Sequence, residues 1–479
     1  MKRLLLIPIL FLHFILLGQT ISWSDPIDVA TPSFGNLHPR IGTSGAGNPV
    51  ILWGDNNGNV RLSRWNGASF STPVKVNPPS IMAFAQSWAG PDLACKGDTI
   101  YAVLKSSPED TGHIYIRYSY NGGQSFSGTT KVENIMSSMN KTRFPTIAVD
   151  DMGNPIVGFM KFDDMFGNAG WAVSKSSDFG KSFSPEVNAG KYSGGSACDC
   201  CPGSVISAGN LTCMLYRDAK NDKRTMWAGA STNNAVSFPS GMSIDNTNWM
   251  ISACPSSGPD GIIVGDSLYA TFMDDGKVYW SKSSISKMSS GFSLPVSDMT
   301  GSPAQNYPRM ANNGTAVGLI WKQIINGKGE INLLFTKDLR GGFGPTYETV
   351  ASDNMGMLEN TDITLSKTAV HVVWQDGTSG TVKYRKGTYA TSAQVNKPLS
   401  KSAFQVYPNP TKDKLYIKFG EGYSLPVQLI IRDIAGKILF TKDLINGETV
   451  DVEKLENGMY FISLISLQGT GAVKLIINK

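Results

Sequence analysis

The stretch "SACDCCPGS", from Ser196 to Ser204, sets Cys198, Cys200 and Cys201 side by side in a chain with six cysteines. Thiols crowded in this way can form disulfides, hold a soft metal ion, or attack as nucleophiles. A further cysteine, Cys254, lies like Cys201 directly before a proline, and the shared position predicts that these two face one another near the channel mouth, where a disulfide could join them, although the sequence selects none of the fifteen pairings that six cysteines permit. The alternative takes Cys198, Cys200, Cys201 and Cys254 as thiolate ligands for copper or zinc, with His38 as a further donor, although "CxCC" lacks the paired spacing of recognisable zinc sites. Apart from that ion, no cofactor is expected. A thiol nucleophile needs a positioned base, and histidine occurs only at 13, 38, 113 and 371. Cys95 and Cys213 fall on strand-like segments and read as buried thiols.

The compartment bears on this choice, because disulfides persist outside the reducing cytosol. Met1-Lys2-Arg3 and the apolar run "LLLIPILFLHFILLG" read as a secretory signal over residues 1–20, too short and wrongly flanked to span a membrane. Nothing later reaches spanning length, so no transmembrane segment is expected. The formal net charge of +5 over 479 residues is too small and too scattered for a nucleic-acid or anionic-membrane surface.

The elements that position these thiols are repeats. "HPRIGTSGAGNPVILW" from His38, "GPDLACKGDTIYAVLK" from Gly90, "FPTIAVDDMGNPIVGFMKF" from Phe144 and "CPGSVISAGNLTCMLYRD" from Cys201 share one pattern. It returns in "CPSSGPDGIIVGDSLYATFMDD" from Cys254, "YPRMANNGTAVGLIWKQ" from Tyr307 and "NTDITLSKTAVHVVWQD" from Asn360. Pro39, Pro91, Pro145, Pro202, Pro255, Pro308 and Thr361 mark intervals of 52–57 residues. Each copy reads as four short antiparallel strands, and such units repeated radially make a β-propeller. Seven blades are expected, with six as the alternative, over residues 21–388. The last copy lacks a fourth strand, and "WSDPIDV" from Trp23 supplies it, removing two open sheet edges.

Between third and fourth strands stand "SSDFGKSF" from Ser176, "SYNGGQSF" from Ser119 and looser versions from Ser63 and Ser231. A short polar side chain capping its own turn, with Gly in a left-handed position, explains them physically. The pattern resembles the Asp-box of the sialidase superfamily, also called the bacterial neuraminidase repeat. The topology puts these turns on one face and the Pro positions on the other. The ligand face then carries His38, Arg40, Asp92, Arg217, Arg309 and Asp362. The sialidase resemblance implies an arginine cluster that grips a carboxylate through bidentate guanidinium forks. Arg40 in "HPRIG", Arg309 in "YPRMA" and Arg143 in "TRFP" are the candidates. It also implies an acid/base, matched by Asp55, and a tyrosine nucleophile with its glutamate, matched by Tyr307 and Glu359. The bland reading makes the arginines ties between blades and the aspartates turn formers. Binding of a glycan or glycoprotein at the channel mouth is expected, with exo-sialidase chemistry as one alternative and a thiolate metal site as another.

A polar linker over 389–403 precedes residues 404–479, which alternate with period two around turns and read as a small Ig-like β-sandwich. "VYPNP", "DIAGK", "LENGMYFISL" and the terminal "KLIINK" resemble the type A sorting domain of the type IX secretion system. That resemblance implies the type IX machinery as partner, and release from or attachment to the outer cell surface.

Overall fold

The computed structural model describes residues 21–479 apart from 34, 134–139, 298–303, 338, 340–341, 345, 390–403, 420–426, 435–437, 445–448 and 467–468. The expected signal, 1–20, and the expected linker beyond Tyr389 lie outside the described residues. The chain divides into two compact units. The first runs to Tyr389 apart from Asn312–Val317 and Leu334–Tyr347, which group with the second.

The described part of the first unit is all strand and turn apart from one short 3-10 turn at Lys220–Asp222. It holds six four-stranded sheets and one of five strands. The sheet Asn36–Thr43, Pro49–Asp55, Val60–Arg64 and Val74–Lys75 is typical. Its second strand, "PVILWGD", is buried along its whole length, as is "PIVGFMKF" at Pro155–Phe162. Near-continuous apolar runs of this kind belong to strands covered on both faces. The cover comes from the neighbouring sheets. Val50, Leu52 and Leu62 pack with Ile100, Ala102 and Leu104, Tyr101 and Val103 with Val157 and Phe159, and Leu215 and Ala228 with Leu268 and Ala270. The last sheet packs on the first through Val373, Val382 and Tyr384 against Ile41, Ile51 and Trp53.

The N-terminal residues complete the last sheet, as the "WSDPIDV" pattern predicts. Ser22 and Trp23 pair with Thr388 and Gly387, and Ile27 and Asp28 pair with Tyr384 and Lys383.

First strands carry a recurrent irregularity. Pairing jumps from Leu37 to Arg40, from Arg143 to Thr146 and from Glu359 to Asp362. Two residues therefore face one on the partner strand, which is a β-bulge. The residue opposite is Trp53, Phe159 or Trp374, each buried. The first bulge residue is left-handed each time: His38 at φ 54°, Phe144 at 51° and Asn360 at 45°, with Tyr307 at 51° in the matching place. For residues with a Cβ that conformation is strained, and surrounding packing must hold it.

One repeat begins later than the sequence suggests. The fifth first strand is Asp260–Val264, so the equivalent proline is Pro259 in "GPD" rather than Pro255. The Cys254-Pro255 pair imitates a repeat start but belongs to the preceding loop.

The turns before the fourth strands share one set of hydrogen bonds. Ser176 Oγ accepts from the Gly180 and Asp178 N–H groups, and Asp178 Oδ1 accepts from Ser182. Ser119 with Asn121, and Ser231 with Asn233, repeat the arrangement.

The second unit contains a three-stranded sheet of Phe404–Tyr407, Lys414–Phe419 and Thr449–Asp451. A four-stranded sheet of Ile438–Leu444, Val427–Arg432, Gly458–Ser466 and Gly469–Ile477 accompanies it. Phe404, Leu415, Ile417, Leu429, Ile431, Ile462, Leu464 and Leu475 form their core.

Candidate functional site

The bulges aim side chains at one place. His38, Phe144, Tyr307 and Asn360 line a common cavity at the start of the first strands, together with Trp88, Gly90, Asp92, Arg40 and Arg309. Its volume is about 60 Å³, far below the roughly 300–1,000 Å³ of pockets that engulf a ligand. Trp88, 37% exposed, stands at its rim. Sequence reasoning missed this residue. It belongs to a loop between repeats, where a lone aromatic carries no periodic signal.

Gly90 matters because a Cβ there would lie 2.8 Å from His38 Cβ; its absence lets the imidazole pack into the mouth. Arg40 Nη2 approaches His38 Nε2 to 2.6 Å, and the other ring nitrogen faces the Ser87 carbonyl. An arginine can only donate, so Nε2 is the acceptor and the imidazole is neutral. Burial and the Arg40 charge hold the His38 pKa well below its usual value.

Both mouth arginines stand against carboxylates, although the buried Arg40 Nε has no hydrogen-bond partner. Arg40 Nε lies 3.5 Å from Asp92 Oδ1, and Nη1 donates to the Pro39 carbonyl. Arg309 Nε lies 3.0 Å from Asp362 Oδ1 and 3.6 Å from Asp260 Oδ2. The three carboxylates also bind strands together: Asp92 accepts from Ile147 N–H, Asp260 from Met310 N–H, and Asp362 from Ile41 N–H. Each ties one first strand to that of another sheet. Asp260 is a second member the sequence reading missed, because the repeat was set at Pro255. Burial lowers the Arg40 pKa, whereas the neighbouring carboxylates raise that of Arg309 in spite of burial.

Other expected site residues stand elsewhere or do other work. Arg143 pairs with Glu109 and Asp110 and lies over the rings of Phe162 and Phe166. Arg217 is fully buried. It pairs with Asp274 at 2.6 Å, donates to the carbonyls of Ser257, Arg224 and Met273, and lies over Trp249. No face of it is left for a ligand, so it is a strut between sheets. Asp55 caps its own turn by accepting from Asn57 and Asn59 N–H groups, and pairs with Arg61. Glu359 pairs with Lys322 at 3.3 Å. Burial, with the Glu359 charge adding to it, raises the Tyr307 pKa, the opposite of what activates a phenol as a nucleophile.

The sulfurs form a separate cluster. Cys200 and Cys254 are joined by a disulfide, their Cα atoms 6.2 Å apart. Of the pairings the sequence left open, the structure holds this one, and Cys254 meets Cys200 rather than Cys201, the residue it was expected to face, because it lies ahead of the fifth first strand. Beneath the bond, Cys198 Sγ lies 3.1 Å from Cys201 Sγ and 3.6 Å from Cys200 Sγ. Arg224 Nη1 is 3.6 Å from Cys198 Sγ. The hydrogen bond from Cys201, helped by Arg224, draws the Cys198 thiol down to about 7 against burial, while burial pushes Cys201 up. Of the residues expected as copper or zinc ligands, Cys198, Cys200 and Cys201 bring their sulfurs within 4.8 Å of one another, a grouping that could hold a metal ion, while Cys254 is joined to Cys200 and His38 lines the mouth. Cys95 and Cys213 are pushed up to about 12 by burial.

Comparison with known proteins identifies the C-terminal unit. Residues 405–478 match the family described as "Secretion system C-terminal sorting domain". The chain is thus addressed to the secretion machinery and the outer cell surface, and no helix among the described residues is long and apolar enough to cross a membrane. Similar solved structures include an α-L-arabinofuranosidase from Fusarium graminearum, with 10% identity, a TM-score of 0.45, 66% of this chain and 98% of that one covered. A Trypanosoma rangeli sialidase shows 10% identity and a TM-score of 0.42 over 92% and 84% of the two chains. A leech intramolecular trans-sialidase shows 10% identity and a TM-score of 0.42 over 71% and 82%. No curated protein sequence matches.

Proposed function

We propose that this protein is a secreted, surface-directed seven-bladed propeller that binds an uncharged glycan across its channel mouth, carried by an Ig-like sorting domain. Each of the seven sheets counts as one blade, and the pairing of Ser22–Trp23 with the last sheet closes the ring. The observation that carries the binding reading is the state of the two arginines. Arg40 and Arg309 face three carboxylates that are themselves fixed by backbone N–H groups, and the adjacent imidazole is neutral. The mouth thus holds one more negative than positive charge, a poor seat for the carboxylate of a sialic acid. Trp88 and Tyr307 instead offer aromatic faces of the kind that stack on sugar rings, beside polar groups that fix orientation.

A cavity of about 60 Å³ is too small to enclose a sugar ring, which also argues for binding over hydrolysis, because catalysis profits from a site that expels water around the reacting bond. The test is a glycan-binding screen with the purified protein alongside a fluorogenic sialoside assay. Uncharged glycans are expected to bind, Trp88→Ala to weaken them about tenfold, or ~1.4 kcal/mol, and the sialoside to stay intact. Fluorophore release that disappears in Arg40→Ala establishes the sialidase reading instead.

A further inference from the structure

The mouth makes no use of the sulfur cluster, although Pro202, Gly203, Gly258 and Pro259 link the two regions along the same loops. Four cysteines meet there in two kinds of environment. Cys198 and Cys201 are buried, Cys200 is half-buried, and Cys254 is exposed. An exposed disulfide therefore sits on top of a buried dithiol. Cys198 and Cys201 are three residues apart, the spacing of dithiols that exchange electrons in folded proteins. The sulfurs of Cys198, Cys200 and Cys201 all lie within 4.0 Å of one another, and Arg224 places a positive charge beside the first of them.

We propose that these residues form a thiol–disulfide exchange centre that passes a pair of electrons from the buried Cys198/Cys201 dithiol to the surface, for reduction of disulfides outside the protein. In the first step the Cys198 thiolate attacks Cys200 Sγ. The Cys198–Cys200 bond forms, the Cys200–Cys254 bond breaks, and its electron pair leaves on Cys254, which takes up a proton from solvent in place of the one Cys198 released. In the second step the Cys201 thiolate attacks Cys198 Sγ and releases Cys200. The sum converts one dithiol and one disulfide into one disulfide and one dithiol, with no outside oxidant or reductant. The free Cys254 thiolate then attacks an external disulfide, forming a mixed disulfide and expelling a thiolate; Cys200 attacks Cys254 in turn and releases the second one.

Direction follows from exposure. A leaving thiolate at Cys254 is solvated, whereas one left at a buried position is not, so exchange delivers the reactive sulfur to the surface. Arg224 stabilises the attacking thiolate at Cys198.

The test uses the purified full chain. Native-state alkylation with iodoacetamide, followed by non-reducing peptide mapping, is expected to label Cys254 in molecules that carry a Cys198–Cys200 or Cys198–Cys201 bond. Cys198→Ser is expected to cut that labelling about tenfold or more, and Cys201→Ser to retain it, because the first step needs only Cys198. Oxidised glutathione as probe is expected to yield a mixed disulfide at Cys254 in the wild-type chain. Cys213, buried within a strand, reports folding: it stays unlabelled in any variant that folds. Should Cys198→Ser label there, the wild-type map decides alone. Recovery of Cys200–Cys254 intact, with Cys254 unlabelled, overturns the proposal. So does stoichiometric zinc or copper held on all four sulfurs.

Discussion

His371 is buried between two hydroxyl groups and an aromatic ring. Nδ1 meets the Tyr384 hydroxyl at 2.7 Å, Nε2 meets the Ser366 hydroxyl at 2.9 Å, and the ring stacks on Tyr384. Burial, with Lys386 adding to it, lowers its pKa to about 4 from the ordinary 6.5. Folding thus favours the neutral ring. As pH falls through 6.5 the unfolded chain takes up a proton that the folded one refuses until about 4, so stability declines across that window and levels off below it. The loss amounts to roughly 3 kcal/mol, since a tenfold change in proton affinity is worth about 1.4 kcal/mol, and His38, whose pKa is lowered in the same direction, adds to it. Asp274, whose pKa burial raises to about 7, contributes in the opposite direction over the same window in both proteins, so thermal unfolding followed from neutral to acidic pH is expected to show the His371 contribution as a difference, His371→Gln losing less stability than the wild-type chain. Parallel profiles for the two proteins remove His371 from the account.

At the scale of elements, the short strand Ser22–Trp23 has more influence than its length suggests. Trp23 Nε1 donates to Glu348, Arg385 lies over its ring, and Arg385 Nε donates to the Ser24 carbonyl. Deleting residues 21–30 bares the edge of Thr381–Thr388 and uncovers Ile41, Ile51 and Trp53 at the joint between last and first sheets. A lower thermal midpoint with concentration-dependent aggregation is expected, read by light scattering during the melt. Unchanged melting places closure elsewhere. This strand was legible because "WSDPIDV" repeats the pattern of "FSTPVKV", and the two-residue period of the repeats made the strands legible too. The fifth repeat was misplaced because two prolines, Pro255 and Pro259, compete for one position and only backbone pairing distinguishes them. The bulges were not legible, since nothing in the side chains of His38, Phe144 or Tyr307 announces a positive φ; that conformation is imposed by packing. Arg143 precedes its bulge where Arg40 follows one, so similar residues near a proline point to different surroundings. The candidate mouth was therefore read by location while its charge balance, set by Asp260 and the N–H groups bound to the carboxylates, was not.

For the whole molecule, the match of residues 405–478 to a sorting domain places the address in a unit with its own core. A chain ending at residue 403 is expected to be absent from the outer surface and the medium, while a full chain with Trp88→Ala is exported normally. Fractionation with an antibody to the first unit separates these outcomes, and surface display of the shortened chain contradicts the assignment. The pairing of Ser22–Trp23 with Thr388 and Gly387 has a further consequence for synthesis. A chain made from its N-terminus holds its first strand without a mate until nearly the whole first unit has emerged, and the address is made only after that mate. Any prematurely terminated product lacks a complete address, and one that ends before Gly387 lacks the mate as well, so the order of parts along the chain keeps half-built copies from ever being shipped.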